Sequence, residues 1–133
     1  MSRIRGEVLR FLLVGGTTVL IDFVVYRATM VAGLAPSVAK GLGFLTGTVF
    51  AYAANRIWTF DAADQAVNRA QVLRFAAVYG GSLVANVAVN GAILMFAGRN
   101  EMALAVAFVL ATGVSATLNF LGMKLFVFRP VRP

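Results

Sequence analysis

The sequence predicts an all-α membrane protein with four transmembrane helices, arranged as two hairpins that repeat one another. Three observations support this fold class. Hydrophobic residues make up 60% of the 133 residues and charged residues 13%, whereas soluble domains have roughly 45–50% and 25%. The apolar residues form four runs, each long enough to span a bilayer. A short motif at the end of the second run recurs at the end of the fourth, which indicates a tandem duplication.

The recurring motif is a base, an apolar residue, an aromatic residue, a β-branched residue and Phe. Its copies are RIWTF at 56–60 and KLFVF at 124–128, sixty-eight residues apart. The starts of the repeats also match, because RFLLVGG at 10–16 is similar to RFAAVYG at 74–80, sixty-four residues later. We therefore predict one membrane domain over residues 1–133, with repeats at about 8–60 and 72–128.

The four predicted spans cover about residues 9–32, 36–57, 72–97 and 102–126. Each is close to the roughly 20 residues that cross a bilayer as a helix. Tight turns separate the spans within each repeat, and Pro36 suits the first turn of the second helix. The longer connection at 61–71 holds Asp61, Asp64 and Arg69 and is predicted to lie in water.

The positions of the bases predict the orientation. Twelve Lys and Arg residues against five Asp and Glu give a net charge of +7. Only Arg27, Lys40 and Arg99 lie toward the two hairpin turns, and the other nine bases lie toward the termini and the central connection. Basic residues concentrate on the cytoplasmic side of membranes, so both termini are predicted to be cytoplasmic. Because the bases flank apolar runs and form no patch, we expect no nucleic-acid binding.

The composition also restricts the chemistry. The chain has no Cys and no His, which excludes thiol chemistry and removes the commonest general base and metal ligand. The sequence contains no nucleotide-binding loop, no metal-binding motif and no nucleophile beside a base. We therefore expect a non-enzymatic protein without a metal or another cofactor.

Asp22 is the only carboxylate inside an apolar run. It lies about 16 Å along the first span from Phe11 at 1.5 Å per residue, near the bilayer midplane. An isolated carboxylate there would cost about 2.5–3.5 kcal/mol, so Asp22 must be paired, protonated or in contact with water. Arg27 and Lys40 are its predicted counter-charges, unless their side chains extend to the interface instead.

The second repeat has polar but uncharged residues at this level. Asn86 matches Asp22, and Asn90 follows one turn later on the same face. Asn119 lies on the last span. Each of these amides is a candidate for substrate binding, but each could also simply hydrogen-bond one helix to another.

Small residues recur every four positions on the second and fourth spans. Such spacing lets helix backbones approach closely in lipid. The positions match in the two repeats and are Gly43, Gly47 and Ala51, then Ala111, Ser115 and Asn119.

Arg56 and Lys124 lie at the predicted cytoplasmic ends of the second and fourth spans. Anchoring at the interface, beside Trp58 and Phe126, would explain both bases without a substrate. The alternative is that they bind the phosphate of a lipid headgroup.

These features together resemble the GtrA-like family, over residues 10–128. The residues that carry the resemblance are Arg10-Phe11 before a Gly-Gly pair, Asp22, and Asn55-Arg56 before Trp58-Thr59-Phe60. The second repeat departs from the pattern, with Met123-Lys124 in place of Asn55-Arg56. The resemblance implies a small bacterial inner-membrane protein of cell-surface polysaccharide synthesis. Members are proposed to flip polyprenyl-phosphate-linked monosaccharides, and they occur beside or fused to polyprenyl-phosphate glycosyltransferases.

The leading hypothesis is a flippase for a polyprenyl-phosphate sugar. Arg56 and Lys124 would bind its phosphate at the inner face, Arg27 and Lys40 at the outer face. The full set of predicted binding residues is Asp22, Arg27, Lys40, Asn55, Arg56, Asn86, Asn90, Asn119 and Lys124. The expected partners are this sugar lipid, membrane lipids, a glycosyltransferase and further copies of the chain, since four helices hardly enclose a path for a sugar.

Two alternatives remain open at this point. The first is a non-transporting membrane anchor that recruits a glycosyltransferase, in which Asp22 would be replaceable. The second is a small proton-coupled drug exporter, because such proteins also have four spans and one membrane acid. An exporter would have an aromatic cage around the acid, whereas the sequence neighbours of Asp22 are largely aliphatic.

Overall fold

The computed structural model describes residues 2–129, with all of their side chains except those of Pro36, Ser37 and Lys40. Over this range the regular structure is helical and includes no strand, which confirms the all-α class. The elements are α1 (Ser2–Val31), α2 (Pro36–Ala54), π1 (Asn55–Thr59), α3 (Arg69–Ala97), α4 (Glu101–Gly122) and π2 (Met123–Val127).

The helices form two compact units, Met1–Gln65 and Ala66–Pro133. In the first unit α1 packs along α2, and in the second unit α3 packs along α4. Each unit is a helical hairpin whose second α-helix continues into a π-helical segment. The order of elements is therefore the same in both units.

Three helical stretches within residues 2–129 are long and apolar enough to cross a membrane. They are α1, α3, and α4 together with π2 (Glu101–Val127). The remaining helix, α2, has 19 residues, which is within the range of about 17–25 that spans a bilayer. The count of four helices is consistent with the four predicted spans.

Large and small apolar side chains are distributed as expected for a protein surrounded by lipid. Val31, Met95 and Phe96 are 85%, 79% and 88% exposed, whereas Ala39 and Ala107 are completely buried. Small residues between helices allow close backbone contact in a bilayer, and large apolar residues can face the lipid. The buried interior of each hairpin is therefore made mostly of small side chains.

Each hairpin turn begins at a glycine in the left-handed region. Gly33 has φ of 98° and Gly98 has φ of 81°, a conformation that other residues rarely adopt. At the end of α1 the Leu34 N–H donates to the Thr29 carbonyl and the Gly33 N–H to the Met30 carbonyl, both at 3.0 Å. This is the Schellman motif, and it ends the helix as the sequence predicts.

The starts of α1 and α3 differ from the predicted spans. α1 begins at Ser2, before the apolar run, because helical hydrogen bonding continues into the polar segment. α3 begins at Arg69 because the Asn68 side chain accepts a hydrogen bond from the Gln71 N–H at 2.8 Å and caps the helix. Asn100 caps α4 in the same way, through the Ala103 N–H at 2.8 Å.

The two π-helical segments overlap the recurring motif, and each begins one residue before it. The Phe60 N–H donates to the Asn55 carbonyl at 2.9 Å, and the Phe128 N–H donates to the Met123 carbonyl at 2.8 Å. Both bonds join residues five apart, which is the π-helical pattern. The motif in each unit therefore marks a local widening of the helix, which the sequence analysis did not predict.

Candidate binding site

Asp22 lies in the contact between α1 and α2. A Cβ atom added to Gly43 would lie only 2.5 Å from both the main-chain oxygen and the Oδ1 of Asp22. One added to Gly47 would lie 3.1 Å from the Thr18 carbonyl oxygen. The Oδ1 atom of Asp22 is shielded from solvent. The glycines of α2, as predicted, allow a close backbone approach, and this approach holds the acid between the two helices.

The second unit has hydrogen bonds between its helices at the same level. The Asn86 Nδ2 donates to the Ser115 Oγ at 3.0 Å. The Ser82 hydroxyl lies 2.6 Å from the Asn119 Oδ1 and can donate to it. These polar pairs join α3 to α4 within the membrane-spanning stretch. Asn86 and Asn119 therefore already have partners inside their own hairpin.

The two units differ in what faces the matched polar residue. Asn86 matches Asp22, and Ser115, which accepts from Asn86, matches Gly47. The first unit thus has no hydroxyl where the second unit has one. Its acid lies against the glycines of α2, whose backbone packs closely on it.

Of the two bases predicted to lie near the outer turn, only Arg27 has a described side chain. Arg27 is exposed on α1, about 7.5 Å along the helix axis from Asp22 at 1.5 Å per residue. The side chain of Lys40 lies outside the described part of the chain. Asn90 is half-buried on α3.

Arg56 organises the connection that follows π1. Its Nη2 donates to the Ala63 carbonyl at 3.1 Å and also to the Gln65 carbonyl. In π2 the ammonium of Lys124 lies 6.0 Å from the centroid of the Phe120 ring. The two bases occupy matching positions but have different surroundings, so the motif does not impose one role on both.

Arg10 and the aromatic residue of the motif contact each other. The Arg10 Nη1 donates to the Trp58 carbonyl at 3.1 Å, and its guanidinium lies 5.7 Å from the Trp58 ring centroid. In the second unit Arg74 lies 5.6 Å from the Phe126 ring centroid. A cation–π contact of this kind contributes roughly 0.5–1 kcal/mol at exposed sites. It joins the start of the first helix to the end of the second in each hairpin.

A cleft of about 470 Å³ lies beside the first turns of α1. Glu7 is buried and lies 3.6 Å from the Arg3 guanidinium. The backbone of Asp61 has φ of 50°, so the chain changes direction sharply after π1. Asp61 then lies at the wall of the cleft. The residues that line the cleft are Ser2, Arg3, Gly6, Glu7, Arg10 and Asp61.

The π1 segment contains buried polar atoms without a hydrogen-bond partner among the described residues. They are Asn55 Oδ1, Arg56 Nε and Thr59 Oγ1. Asn55 and Thr59 are only 2% and 1% exposed. Leaving one such group unsatisfied costs about 1–3 kcal/mol. Native proteins retain few such groups, so a cluster of three indicates a role beyond packing.

Comparison with known families agrees with this architecture. A family model described as GtrA/DPMS, transmembrane domain, matches residues 10–129. The chain belongs to this family. The match confirms the GtrA-like resemblance, and together with the apolar helices it shows a multi-pass membrane protein. Membership in the GtrA/DPMS family relates the chain to polyprenyl-phosphate sugars.

In this GtrA/DPMS domain, six of the nine predicted binding residues fall at two levels of the hairpins. Asn55 and Arg56 are neighbours in π1, and Lys124 lies in π2. Asp22 lies between α1 and α2, and Asn86 and Asn119 take part in the hydrogen bonds between α3 and α4. The structure therefore groups these residues within each hairpin by level.

The sequence analysis missed part of the cleft and of π1. Glu7, Arg10 and Thr59 were not among the predicted binding residues. A signal for Arg10 was present, because the Arg-Phe pair at 10–11 recurs at 74–75. Thr59 lies inside the motif that distinguishes the GtrA/DPMS resemblance, but its burial could only be seen in the structure.

Proposed function

We propose that this chain translocates a polyprenyl-phosphate-linked monosaccharide across the bacterial inner membrane. The sugar would then serve the synthesis of a cell-surface polysaccharide or glycolipid. The family match carries the proposal, because it covers residues 10–129 of the 133. The proposed role includes no enzymatic step, metal or cofactor.

The polar residues within the hairpins support a path for a hydrophilic headgroup. Charged and polar groups are expensive inside a bilayer and usually mark a substrate pathway. Asp22 would accept hydrogen bonds from sugar hydroxyls beside the glycine surface of α2. Asn86, Asn90 and Asn119 would contribute amide groups, with Asn86 and Asn119 exchanging their present partners for the sugar.

Bases at both ends of the hairpins would bind the phosphate before and after it crosses. We assign Arg56 and Lys124, with Asn55, to one end and Arg27 and Lys40 to the other. A phosphodiester presents one negative charge, which charge-assisted hydrogen bonds from these bases can stabilise. The proposal includes a homodimer or larger assembly, and a glycosyltransferase that supplies the sugar lipid.

The proposal also includes the tandem repeat and an orientation in which both termini and the central connection face the cytoplasm. Val67 is exposed in the central connection and Arg99 in the turn of the second hairpin, and neither residue caps a helix. The chain has no Cys, so Val67→Cys and Arg99→Cys each provide one label site. In intact cells an impermeant thiol reagent should label Arg99→Cys and leave Val67→Cys unlabelled until the cells are opened. If only Val67→Cys is labelled in intact cells, the orientation is the opposite of the proposed one.

Translocation can be measured in reconstituted vesicles that contain polyprenyl-phosphoryl hexoses or pentoses in both leaflets. Impermeant periodate oxidises only sugars with adjacent hydroxyls at the outer leaflet. With the protein present, oxidation should proceed beyond the outer-leaflet share toward all of the lipid, because inner-leaflet lipid is delivered outward. Protein-free vesicles are the control. If oxidation stops at the same share with and without protein for every sugar tested, the chain does not translocate these lipids.

A further inference from the structure

The cleft of the first unit has charges of both signs on its walls. Arg3 and Arg10 supply guanidinium groups, and Glu7 and Asp61 supply carboxylates. A guanidinium binds phosphate oxygens through paired N–H donors, and a carboxylate accepts hydrogen bonds from hydroxyls. The volume of about 470 Å³ is within the range of about 300–1,000 Å³ for small-molecule sites. The cleft therefore matches a headgroup that combines a phosphate with hydroxyls.

The neighbouring π1 segment adds polar atoms of complementary kinds. Asn55 Oδ1 is an acceptor, Arg56 Nε is a donor, and the Thr59 hydroxyl can be either. All three atoms are buried, and none has a hydrogen-bond partner among residues 2–129. Arg10 connects this segment to the cleft, because it lines the cleft and donates to the Trp58 carbonyl of π1.

The fold does not require these polar groups. In π2 the positions of Asn55 and Thr59 are occupied by Met123 and Val127, which are 0% and 3% exposed. The same π turn therefore forms around apolar side chains. The polar residues of π1 leave buried atoms unsatisfied where apolar residues in π2 leave none, so these atoms are candidates to contact a ligand.

The second unit has a counterpart of Arg10, Arg74, but not of the other three charged residues of the cleft. The positions of Arg3 and Glu7 are occupied sixty-four residues later by Val67 and Gln71. The position of Asp61 is occupied by Arg129, sixty-eight residues later, and the Arg129 guanidinium lies 5.6 Å from an aromatic ring centroid. The first unit is thus equipped for a polar headgroup, and the matching end of the second unit is not.

We propose that a headgroup containing a phosphate and sugar hydroxyls is captured at the cleft of Arg3, Glu7, Arg10 and Asp61 and the adjoining π1 segment. The second unit, where Lys124 is the one base assigned to the phosphate, has no matching capture site. This inference rests on the proposed function and deepens it, because it assigns headgroup capture to one of the two hairpins. The matching end of the second unit serves to close its hairpin through the contact of Arg74 with Phe126.

Binding of two probes to the purified protein in nanodiscs tests this site. Farnesyl phosphoryl glucose carries the headgroup on a short lipid, and glucose 1-phosphate carries the same phosphate and hydroxyls without a tail. We expect both to bind, to compete with each other, and the lipid to bind more tightly. If glucose 1-phosphate binds as tightly as the lipid, the site is supported but its ligand is a soluble sugar phosphate.

Matched substitutions in the two units locate the site. Arg10→Gln should weaken binding of farnesyl phosphoryl glucose by about tenfold to a hundredfold, through loss of a charge-assisted hydrogen bond. Arg74→Gln removes the matching base of the second unit and should leave binding unchanged. Equal weakening by both substitutions would overturn the restriction to the first unit, and no weakening by Arg10→Gln would overturn the cleft.

A second variant introduces the residues of π2 into π1. Asn55→Met with Thr59→Val should maintain or raise the thermal unfolding temperature, because it removes buried unsatisfied atoms. It should weaken binding about tenfold or more. Unchanged binding would show that π1 takes no part in the site, whatever the variant does to stability.

The binding and vesicle experiments separate the two proposals. If the wild type binds the probes and none of the first-unit variants weakens that binding, this site is overturned and translocation is not affected. If the variants weaken binding as expected but the protein does not increase periodate oxidation of the lipid in vesicles, the site is supported and translocation is overturned. If the wild type binds neither probe, the proposed site fails, and the vesicle experiment alone decides whether the chain translocates the lipid.

Discussion

Gly43→Ala is expected to destabilise the first hairpin by about 3 kcal/mol, the upper part of the range for overpacked interiors. The added Cβ would lie 2.5 Å from the main-chain oxygen and the Oδ1 of Asp22. The main-chain oxygen belongs to α1 and cannot turn away as a flexible side chain can. The two helices would therefore have to separate, and the small-residue contacts along α2 would be lost.

The matched control is Gly41→Ala, on the same helix. A Cβ at Gly41 would meet nothing within 4 Å beyond its own residue, its chain neighbours and the nearby backbone of its own helix. This substitution should therefore be neutral or slightly stabilising, because Ala favours helix more than Gly does. Unfolding of both variants can be measured by heating in detergent or by steric trapping in bicelles. Equal stabilities would show that α1 and α2 are not in close contact at Gly43.

The hairpins could be predicted because their signals are local in sequence. Apolar runs give the spans, and the breaks between them give the turns, where the structure has Gly33 and Gly98 at positive φ. The π segments could not be predicted in this way. A π turn changes the hydrogen bonding by one residue, and the motif that π1 and π2 share does not by itself indicate this change.

The polar residues in the spans could be identified, but their partners could not. Asp22 and Asn86 match in the repeat, yet Asn86 faces Ser115 and Asp22 faces a glycine surface. Which residues face each other depends on the register between the two helices of a hairpin. That register depends on the turn and on how the helices pack. The residue pattern of one helix alone does not determine it.

The cleft depends on contacts between distant parts of the chain. Glu7 and Asp61 are 54 residues apart in sequence and line the same cleft. The return of α2 alongside α1 brings them together, and the bond of Arg10 to the Trp58 carbonyl holds the π segment at this end. The sequence shows that the Arg-Phe pair at 10–11 and the motif at 56–60 both recur. It does not show that Arg10 contacts Trp58.

Asp22→Asn is expected to lower the translocation rate by about tenfold to a hundredfold, the loss that follows from removing hydrogen bonds to a charged group. An acid within a membrane-spanning helix is costly and is a functional candidate by default. Asn is nearly the same size, and the second unit has Asn at this level, where Ser115 satisfies it. The first unit offers Gly47 at that position, so the amide would gain no such partner and the carboxylate would be lost to the sugar.

Asp64→Asn is the control for this prediction. It removes one carboxylate by the same change, but Asp64 is exposed in the connection between the two units. Asp64→Asn should therefore transport at the wild-type rate in the periodate assay, and both variants should unfold at nearly the wild-type temperature. A pure anchor that recruits a glycosyltransferase predicts a different pattern, in which Asp22→Asn keeps sugar delivery in cells and changes in the connection abolish it. Equal rates for Asp22→Asn and wild type in vesicles would remove Asp22 from the transport path and favour the anchor.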